Sequence, residues 1–356
     1  MLQTNIDLRD KKILVTGVAG FIGSNLAQEL LSKYEGIHII GLDNMNSYYD
    51  VSLKEHRLKY LEDIQSSVSG AYSFVEGDIA DKALIGEVLE KYRPDIIVNL
   101  AAQAGVRYSI DNPDAYIESN LLGFYNILEG CRHSYDKGQK GIEHLIYASS
   151  SSVYGSNDKI PYSTEDKTDH PVSLYAATKK ADELMAYAYC KLYGIPATGL
   201  RFFTVYGPAG RPDMAYFSFT DKLVKQQSIK IFNYGNCKRD FTYIDDIVTG
   251  IEEVMKRSPL LDETGVRHKV YNIGNNHPEN LLDFVNILYE ELKRVGVLPE
   301  DYDLAAHMQL VPMQPGDVEV TFADTSELEK DIGFKPDTSL RVGLRRFAEW
   351  YKNYYT

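Results

Sequence analysis

Short, continuously apolar runs separated by helix-period segments constrain this chain more than any other feature. The runs are KKILVTG (11–17), IHIIGLD (37–43), AYSFVEGD (71–78), DIIVNLAAQ (95–103), GIEHLIYASS (141–150) and PATGLRFF (196–203). Between the first two lies FIGSNLAQELLSKY (21–34), with apolar residues at 22, 26, 30 and 31. Strands this apolar need cover on both faces, and alternating helices supply it to a parallel sheet. The expected class is α/β, a doubly wound parallel sheet.

After about residue 204 the alternation stops, and Gly, Pro and polar residues crowd TVYGPAGRPDMAYFSF. YNIGN (271–275) reads as one more buried strand returning to the sheet, and the tail from about 279 reads as a helix, short strands and a final helix ending near Trp350. The predicted division is a sheet domain over 1–203, rejoined by 242–277, and a smaller, partly discontinuous C-terminal substrate-binding lobe from 204–241 and 278–356, with a cleft between them.

With 38 basic and 51 acidic residues the net charge is −13, which lacks the footprint of phosphate-backbone binding, so nucleic acid is not an expected partner. Cys131, Cys190 and Cys237 are too few and scattered for a disulfide framework or a zinc site, and His133, His144 and His170 have no ligand spacing, so no metal is expected. The N-terminal stretch has no apolar h-region, and no run approaches the roughly 18 residues of a membrane span. A cytoplasmic protein without a membrane partner is the expectation.

Gly17, Gly20 and Gly23 follow the first strand and open the first helix in TGVAGFIGSN. Glycines there permit a tight turn and close backbone approach, while the helix N-terminus offers N–H groups and positive dipole to a pyrophosphate. The spacing is G-x-x-G-x-x-G rather than G-x-G-x-x-G. Asp43 ends the second strand 20 residues after Gly23, where a carboxylate accepts from an adenosine ribose diol and repels a 2′-phosphate. The reading is a Rossmann-type site for NAD. Asp78 is placed to reach the adenine, and Ala101-Ala102 lets the cofactor pass close to the fourth strand. Phe21, Ile22, Asn44, Ile79, Leu100 and Gln103 complete the expected contacts.

Tyr175 and Lys179 lie one helical turn apart in SLYAATKKADELM, so both can face one cleft. An ammonium beside a phenol stabilises the phenolate and makes the tyrosine a usable base. The spacing recurs at Tyr187/Lys191, Tyr234/Lys238 and Tyr289/Lys293, which read as surface pairs. The stripe Tyr187, Tyr189 and Tyr193 reads as packing. What sets Tyr175 apart is ASSSSVYG (148–155) about 25 residues earlier, at the ligand-binding end of the fifth strand. A serine there can hold a substrate hydroxyl and relay its proton.

Together these residues resemble the extended short-chain dehydrogenase/reductase family, in its NAD-dependent epimerase/dehydratase group, and most of all the UDP-glucuronate 4-epimerases. The likeness runs through LDNMNSYYD (42–50), LAAQAGVRYS (100–109), YASSSSVYG (147–155), HPVSLYAATKKADELM (170–185), LRFFTVYGPAGRPDM (200–214), KRDFTYIDDIV (238–248) and MQPGDVEVTFADT (313–325). It implies Tyr175 as base and acid, Lys179 as its tuner and nicotinamide-ribose ligand, and Ser150 as hydroxyl relay. Ser150 is singled out because it lies three residues before Val153 of V-Y-G. Ser151, Ser152 and Thr204 would surround a sugar carboxylate, Arg239 and Arg211 would meet the pyrophosphate, and Asp317 would hold the uridine ribose. Arg107 reads either as a substrate contact or as part of a turn-stabilising ion pair. Gln314 stands where UDP-galactose 4-epimerases carry an arginine, and it looks like the glucuronate group's own pattern.

The implied reaction is C4 epimerisation of a UDP-sugar, UDP-glucuronate to UDP-galacturonate, through a transient 4-keto intermediate with NAD regenerated. Family dehydratases place Asp-Glu where this chain has Ser151-Ser152, which argues against elimination. Rival readings are a UDP-glucuronate decarboxylase, a neutral UDP-hexose or UDP-N-acetylhexosamine 4-epimerase, and a non-catalytic NAD-binding sensor. By the same resemblance, helices over 115–131 and 175–193 would pair two copies into a homodimer.

Overall fold

The structure, a computed structural model, describes residues 2–313 and 319–356. Strands β1 (Lys12–Thr16), β2 (His38–Asp43), β3 (Ala71–Glu76), β4 (Ile96–Asn99), β5 (His144–Ser150) and β6 (Ala197–Phe202) arise from the six apolar runs. Three short strands follow, β7 (Thr204–Tyr206), β8 (Ile229–Ile231) and β9 (Lys238–Tyr243), before β10 (His268–Ile273) returns beside β6. Among the described residues the main sheet has seven strands in the order β3-β2-β1-β4-β5-β6-β10, with every neighbouring pair parallel. Strand order reverses between β1 and β4, which opens a crevice at their carboxyl ends.

Helices cover both faces, as the apolar strands require. On one face α1 (Phe21–Lys33) and α2 (Val51–Gln65) bury Leu26, Leu30, Leu53 and Leu61. On the other, α3 (Lys82–Tyr92) buries Ile85 and Val88. The segment read as one helix over 115–131 is more elaborate. After α4 (Tyr108–Asp111) and α5 (Pro113–Tyr116), the chain makes a π-helical stretch at Ile117–Gly123 and then α6 (Phe124–His133). Such widened turns concentrate at functional sites, and this one faces the crevice through Ser119.

Next comes α7 (Leu174–Tyr193), which packs against β5 and the π-helical stretch. The Ser173 hydroxyl caps it by accepting from the Ala176 N–H at 3.1 Å, and Gly194 ends it at φ +70°. This start places Tyr175 in the first turn, at the carboxyl edge of the sheet. Further on, α8 (Ala215–Val224) precedes β8, and α9 (Ile244–Met255) packs on α1.

The remaining chain holds β11 (Pro278–Asn280), α10 (Leu281–Arg294), β12 (Met308–Leu310), β13 (Val320–Thr321), α11 (Ser326–Ile332) and α12 (Leu340–Tyr355). Strand β9 gathers β7, β11 and β13 into a small sheet, and β12 pairs with β8. The last helix runs past the expected end at Trp350, because Tyr351, Tyr354 and Tyr355 continue an aromatic cluster with Phe217 and Phe347.

Candidate active site

The crevice between β1 and β4 is a deep cleft whose wall begins at the glycine turn. Gly17 has φ +70°, and a Cβ there would lie 2.8 Å from the Ala101 nitrogen, so turn and β4 pack backbone to backbone. A Cβ on Gly23 would sit 2.3 Å from the Gly17 carbonyl oxygen, which explains why α1 approaches so closely. Among the described residues no side chain caps the N-terminus of α1 at Gly20. Its first-turn N–H groups therefore remain for an anion.

Gly17, Gly20, Phe21, Ile22, Gly23, Asp43, Asn44, Asp78, Ile79, Leu100, Ala101, Ala102 and Gln103 all line this cleft, and so do Ser150, Tyr175, Lys179 and Arg211. Asp43 is buried and already accepts from the Ala19 N–H at 3.1 Å, the Met45 N–H at 3.0 Å and Lys54 Nζ at 3.3 Å. Asp78 accepts from the Ala80 N–H and from Asn44 Nδ2, each at 2.8 Å. These bonds fix both carboxylates at the strand ends. The cradle, the anion-ready helix end and the placed carboxylate fit an adenine dinucleotide.

The Tyr175 ring meets that of Tyr116 edge-on at 6.0 Å, and Tyr116 is anchored by donating to the carbonyls of Ala104 and Gly105. Lys179 Nζ donates to Asp182 Oδ2 at 2.9 Å, with both side chains buried. Ser150 Oγ accepts from the Ser152 N–H and lies 3.1 Å from Ser152 Oγ. One hydroxyl, one phenol and one ammonium thus share a wall with the dinucleotide cradle, a set suited to proton transfer beside a hydride acceptor.

Other expected positions fall elsewhere. Ser151 and Ser152 open a short 3₁₀ turn (Ser151–Tyr154), and neither they nor Thr204 lies among the residues lining the cleft, although Phe203 and Val205 on either side of Thr204 do. Arg107 stacks its guanidinium over the Phe232 ring at 5.5 Å. Arg239 Nη1 donates to the carbonyls of Lys238 and Glu319 and is not among the residues lining the cleft. Arg211 reaches the cleft but grips Asp213 through Nε at 3.0 Å and Nη2 at 2.5 Å. Asp317 and Gln314 lie outside the described residues. The decoy pairs take other roles: Lys293 covers the Tyr289 ring at 5.4 Å, Lys191 bonds the Thr264 carbonyl, and Tyr234 is exposed.

Three residues that the sequence reading passed over organise the site. Arg57 is buried and donates to the carbonyls of Ala19, Ala209 and Gly210 and to the Tyr49 hydroxyl, joining the glycine turn to the segment before Arg211. Lys54, one turn earlier on α2, lines the cleft beside Asp43. Their signal was charge on the buried side of an amphipathic helix, next to Leu53, Leu58 and Leu61. Asn120, in the π-helical stretch, accepts from the Gln103 N–H at 2.8 Å and donates to Thr178 Oγ1 at 3.0 Å, tying the loop after β4 to α7.

A cradle at the switch point of a doubly wound sheet, faced by a Tyr-x-x-x-Lys helix, defines a nucleotide-cofactor enzyme of the short-chain dehydrogenase/reductase type. Residues 14–347 match the protein-family model described as GDP-mannose 4,6 dehydratase, and the chain belongs to that family, within the extended short-chain dehydrogenases/reductases. Protein CapI of Staphylococcus aureus is 48% identical over 97% of this chain and 99% of its own length. UDP-glucuronate 4-epimerase 3 of Arabidopsis thaliana is 44% identical over 98% of this chain and 78% of its own. Among solved structures, UDP-glucuronic acid 4-epimerase from Bacillus cereus in complex with UDP-glucuronic acid and NAD has a TM-score of 0.81 and 31% identity, covering 97% of this chain and 100% of that one.

Proposed function

We propose that this protein interconverts UDP-glucuronate and UDP-galacturonate by NAD-dependent epimerisation at C4. The observation that carries this is the shared cleft: Ser150, Tyr175 and Lys179 line the same cavity as Gly17 and Asp43. The likeness to proteins named for this activity supports the substrate.

NAD, when bound, supplies a reversible hydride acceptor for C4 of the sugar. Tyr175, as phenolate, takes the 4-hydroxyl proton through or beside Ser150 and returns it when the hydroxyl re-forms on the opposite face. Lys179 stabilises the phenolate. A 4-keto uronate loses CO₂ when its C5–C6 bond stands perpendicular to the ketone plane, and hydroxyls of Ser151, Ser152 and Thr204 would hold the carboxylate off that alignment. The 3.1 Å approach of Ser150 and Ser152 hydroxyls supports a role for Ser152 beside the relay. Ser151-Ser152 brings no acid–base pair for eliminating water, so the reading is epimerisation although the matching family model carries a dehydratase description. Arg211 and Arg239 are assigned to the pyrophosphate, Asp317 to the uridine ribose and Arg107 to a substrate contact.

We assign residues 1–203 and 242–277 to the NAD domain and 204–241 with 278–356 to the UDP-sugar lobe. A homodimer fits the exposed apolar residues Ile117 and Leu122 of the π-helical stretch and Leu184 and Leu192 of α7. Among the described residues no helix is long and apolar enough to cross a membrane, and the three cysteines are free, which supports a cytoplasmic protein.

Proton NMR of the purified protein with UDP-glucuronate, first without and then with added NAD⁺, tests the function. UDP-galacturonate with its carboxylate retained is expected. A pentose nucleotide would make the protein a decarboxylase, and silence toward uronate and neutral UDP-sugars alike would leave a sensor.

A further inference from the structure

We propose that Asp182 is a positioning residue that holds the Lys179 ammonium and, through it, sets the pH at which Tyr175 becomes a base; this rests on the reading of Tyr175 and Lys179 as the proton-transfer pair. The three residues occupy successive turns of one helix, with Tyr175 and Lys179 lining the cleft and Asp182 buried beyond it. Asp182 Oδ2 accepts from Lys179 Nζ at 2.9 Å, and the two side chains are 1% and 3% exposed. Asp182 Oδ1 is buried with no hydrogen-bond partner among the described residues. A buried carboxylate so poorly served by neutral donors depends on its one cation, and that cation is held from behind while its other face borders the cleft.

The surrounding charges leave Asp182 this role alone. On its own helix Glu183 is engaged by Arg201 of β6 at 2.7 Å and by Lys180 at 3.1 Å. Tyr147 of β5 shares a hydrogen bond with His268 of β10. Tyr116 of α5 meets the Tyr175 ring in a T-shaped contact and spends its hydroxyl on the carbonyls of Ala104 and Gly105, and Arg211, which bears on Tyr175 from the cleft, is paired with Asp213. Among the described residues Asp182 is the one carboxylate within ion-pair distance of Lys179. Burial pushes its carboxyl up to about 6, against the pull of Lys179.

The sign follows from charge. Lys179 favours the Tyr175 phenolate, and the Asp182 anion cancels part of that field. Neutralising Asp182 unmasks the ammonium, so Tyr175 ionises at lower pH. In a kcat–pH profile of the NAD-loaded enzyme, Asp182→Asn should move the acidic limb about half a unit or more toward acid. The KM for the UDP-sugar should stay within about twofold, because Asp182 does not line the cleft. Asp182→Ala, which leaves no orphan oxygen, carries the same expectation should the amide variant not fold, and Asp182→Glu, which keeps the charge, should leave the limb in place. An unmoved limb in the neutral variants, whatever their kcat, overturns the proposal. Tyr175→Phe separates the two readings: if it keeps full turnover, the assignment of Tyr175 and Lys179 fails first.

Discussion

Ser149 and Ser150 leave the end of β5 on opposite sides of the sheet. Ser149 Oγ donates to Glu183 Oε1 at 2.7 Å, in the buried network that includes Arg201, while Ser150 Oγ faces the cleft. Strand alternation thus divides one serine run between structure and chemistry. Ser150→Ala should lower kcat by about 100-fold or more with little change in stability. Ser149→Ala should leave kcat within a few-fold and cost about 1–3 kcal/mol in urea unfolding, since it strips a donor from a buried carboxylate. Equal losses of turnover in the two variants would remove Ser150 from its relay role.

Arg57 has a burden the active-site chemistry does not reveal. Its guanidinium is the link between Ala19 of the glycine turn and Ala209 and Gly210, and among the described residues it has no ion-pair partner. Arg57→Met should cost about 3 kcal/mol by orphaning buried carbonyls. It should also raise the UDP-sugar KM about tenfold by loosening the approach to Arg211. Arg57→Lys should not restore either property, because one ammonium cannot span four acceptors. Urea unfolding and steady-state kinetics on the three proteins check this, and full rescue by lysine would show that only the charge matters.

What was legible in the sequence was local. The six strands, the turn at Gly17, Asp43 at a strand end and the Tyr175/Lys179 spacing each follow from residues within a few positions of one another. Arg57 escaped because its acceptors at Ala209 and Gly210 lie 152 and 153 residues away. The π-helical widening at Ile117–Gly123 has no period of its own, since Asn120 earns its place only by meeting Gln103 and Thr178, residues distant in sequence. Arg211 was expected to meet a ligand phosphate, yet here Asp213, two residues on, engages its fork. Asp182 is not legible from its motif, because an acid three residues after a lysine usually marks a solvated helix pair.

Gly17 should tolerate no side chain. Its φ of +70° strains any L-residue, and a Cβ would press on the Ala101 nitrogen at 2.8 Å, where no flexible atom can yield. Gly17→Ala should therefore cost about 1–3 kcal/mol and displace the turn against β4. Thermal melts with and without NAD would read both effects. The wild type should gain in Tm on adding NAD, and the variant should melt lower and gain nothing. A variant with the full NAD-dependent gain would show that the turn does not form the cofactor site.

Acid should weaken the fold through His144. The ring, at the start of β5, is fully buried and shares a hydrogen bond with Thr198 Oγ1 of neighbouring β6 at 2.8 Å, and burial pushes its pKa down to about 4. His268 is depressed to about 4 for the same reason. Because the folded pKa lies below the unfolded value near 6.5, the unfolded chain binds the extra proton first. The stability tied to neutral His144 is therefore present above about pH 6.5 and drains away as pH falls toward 4, by up to about 3 kcal/mol. Asp182 works in the opposite direction, since its raised carboxyl lets the folded state bind a proton more readily below about 6. Urea midpoints should fall from pH 7 to pH 5, and His144→Gln should flatten that slope whatever its stability at neutral pH. An equally steep fall in the variant would mean that His144 is already protonated in the native protein, or that other groups carry the acid response.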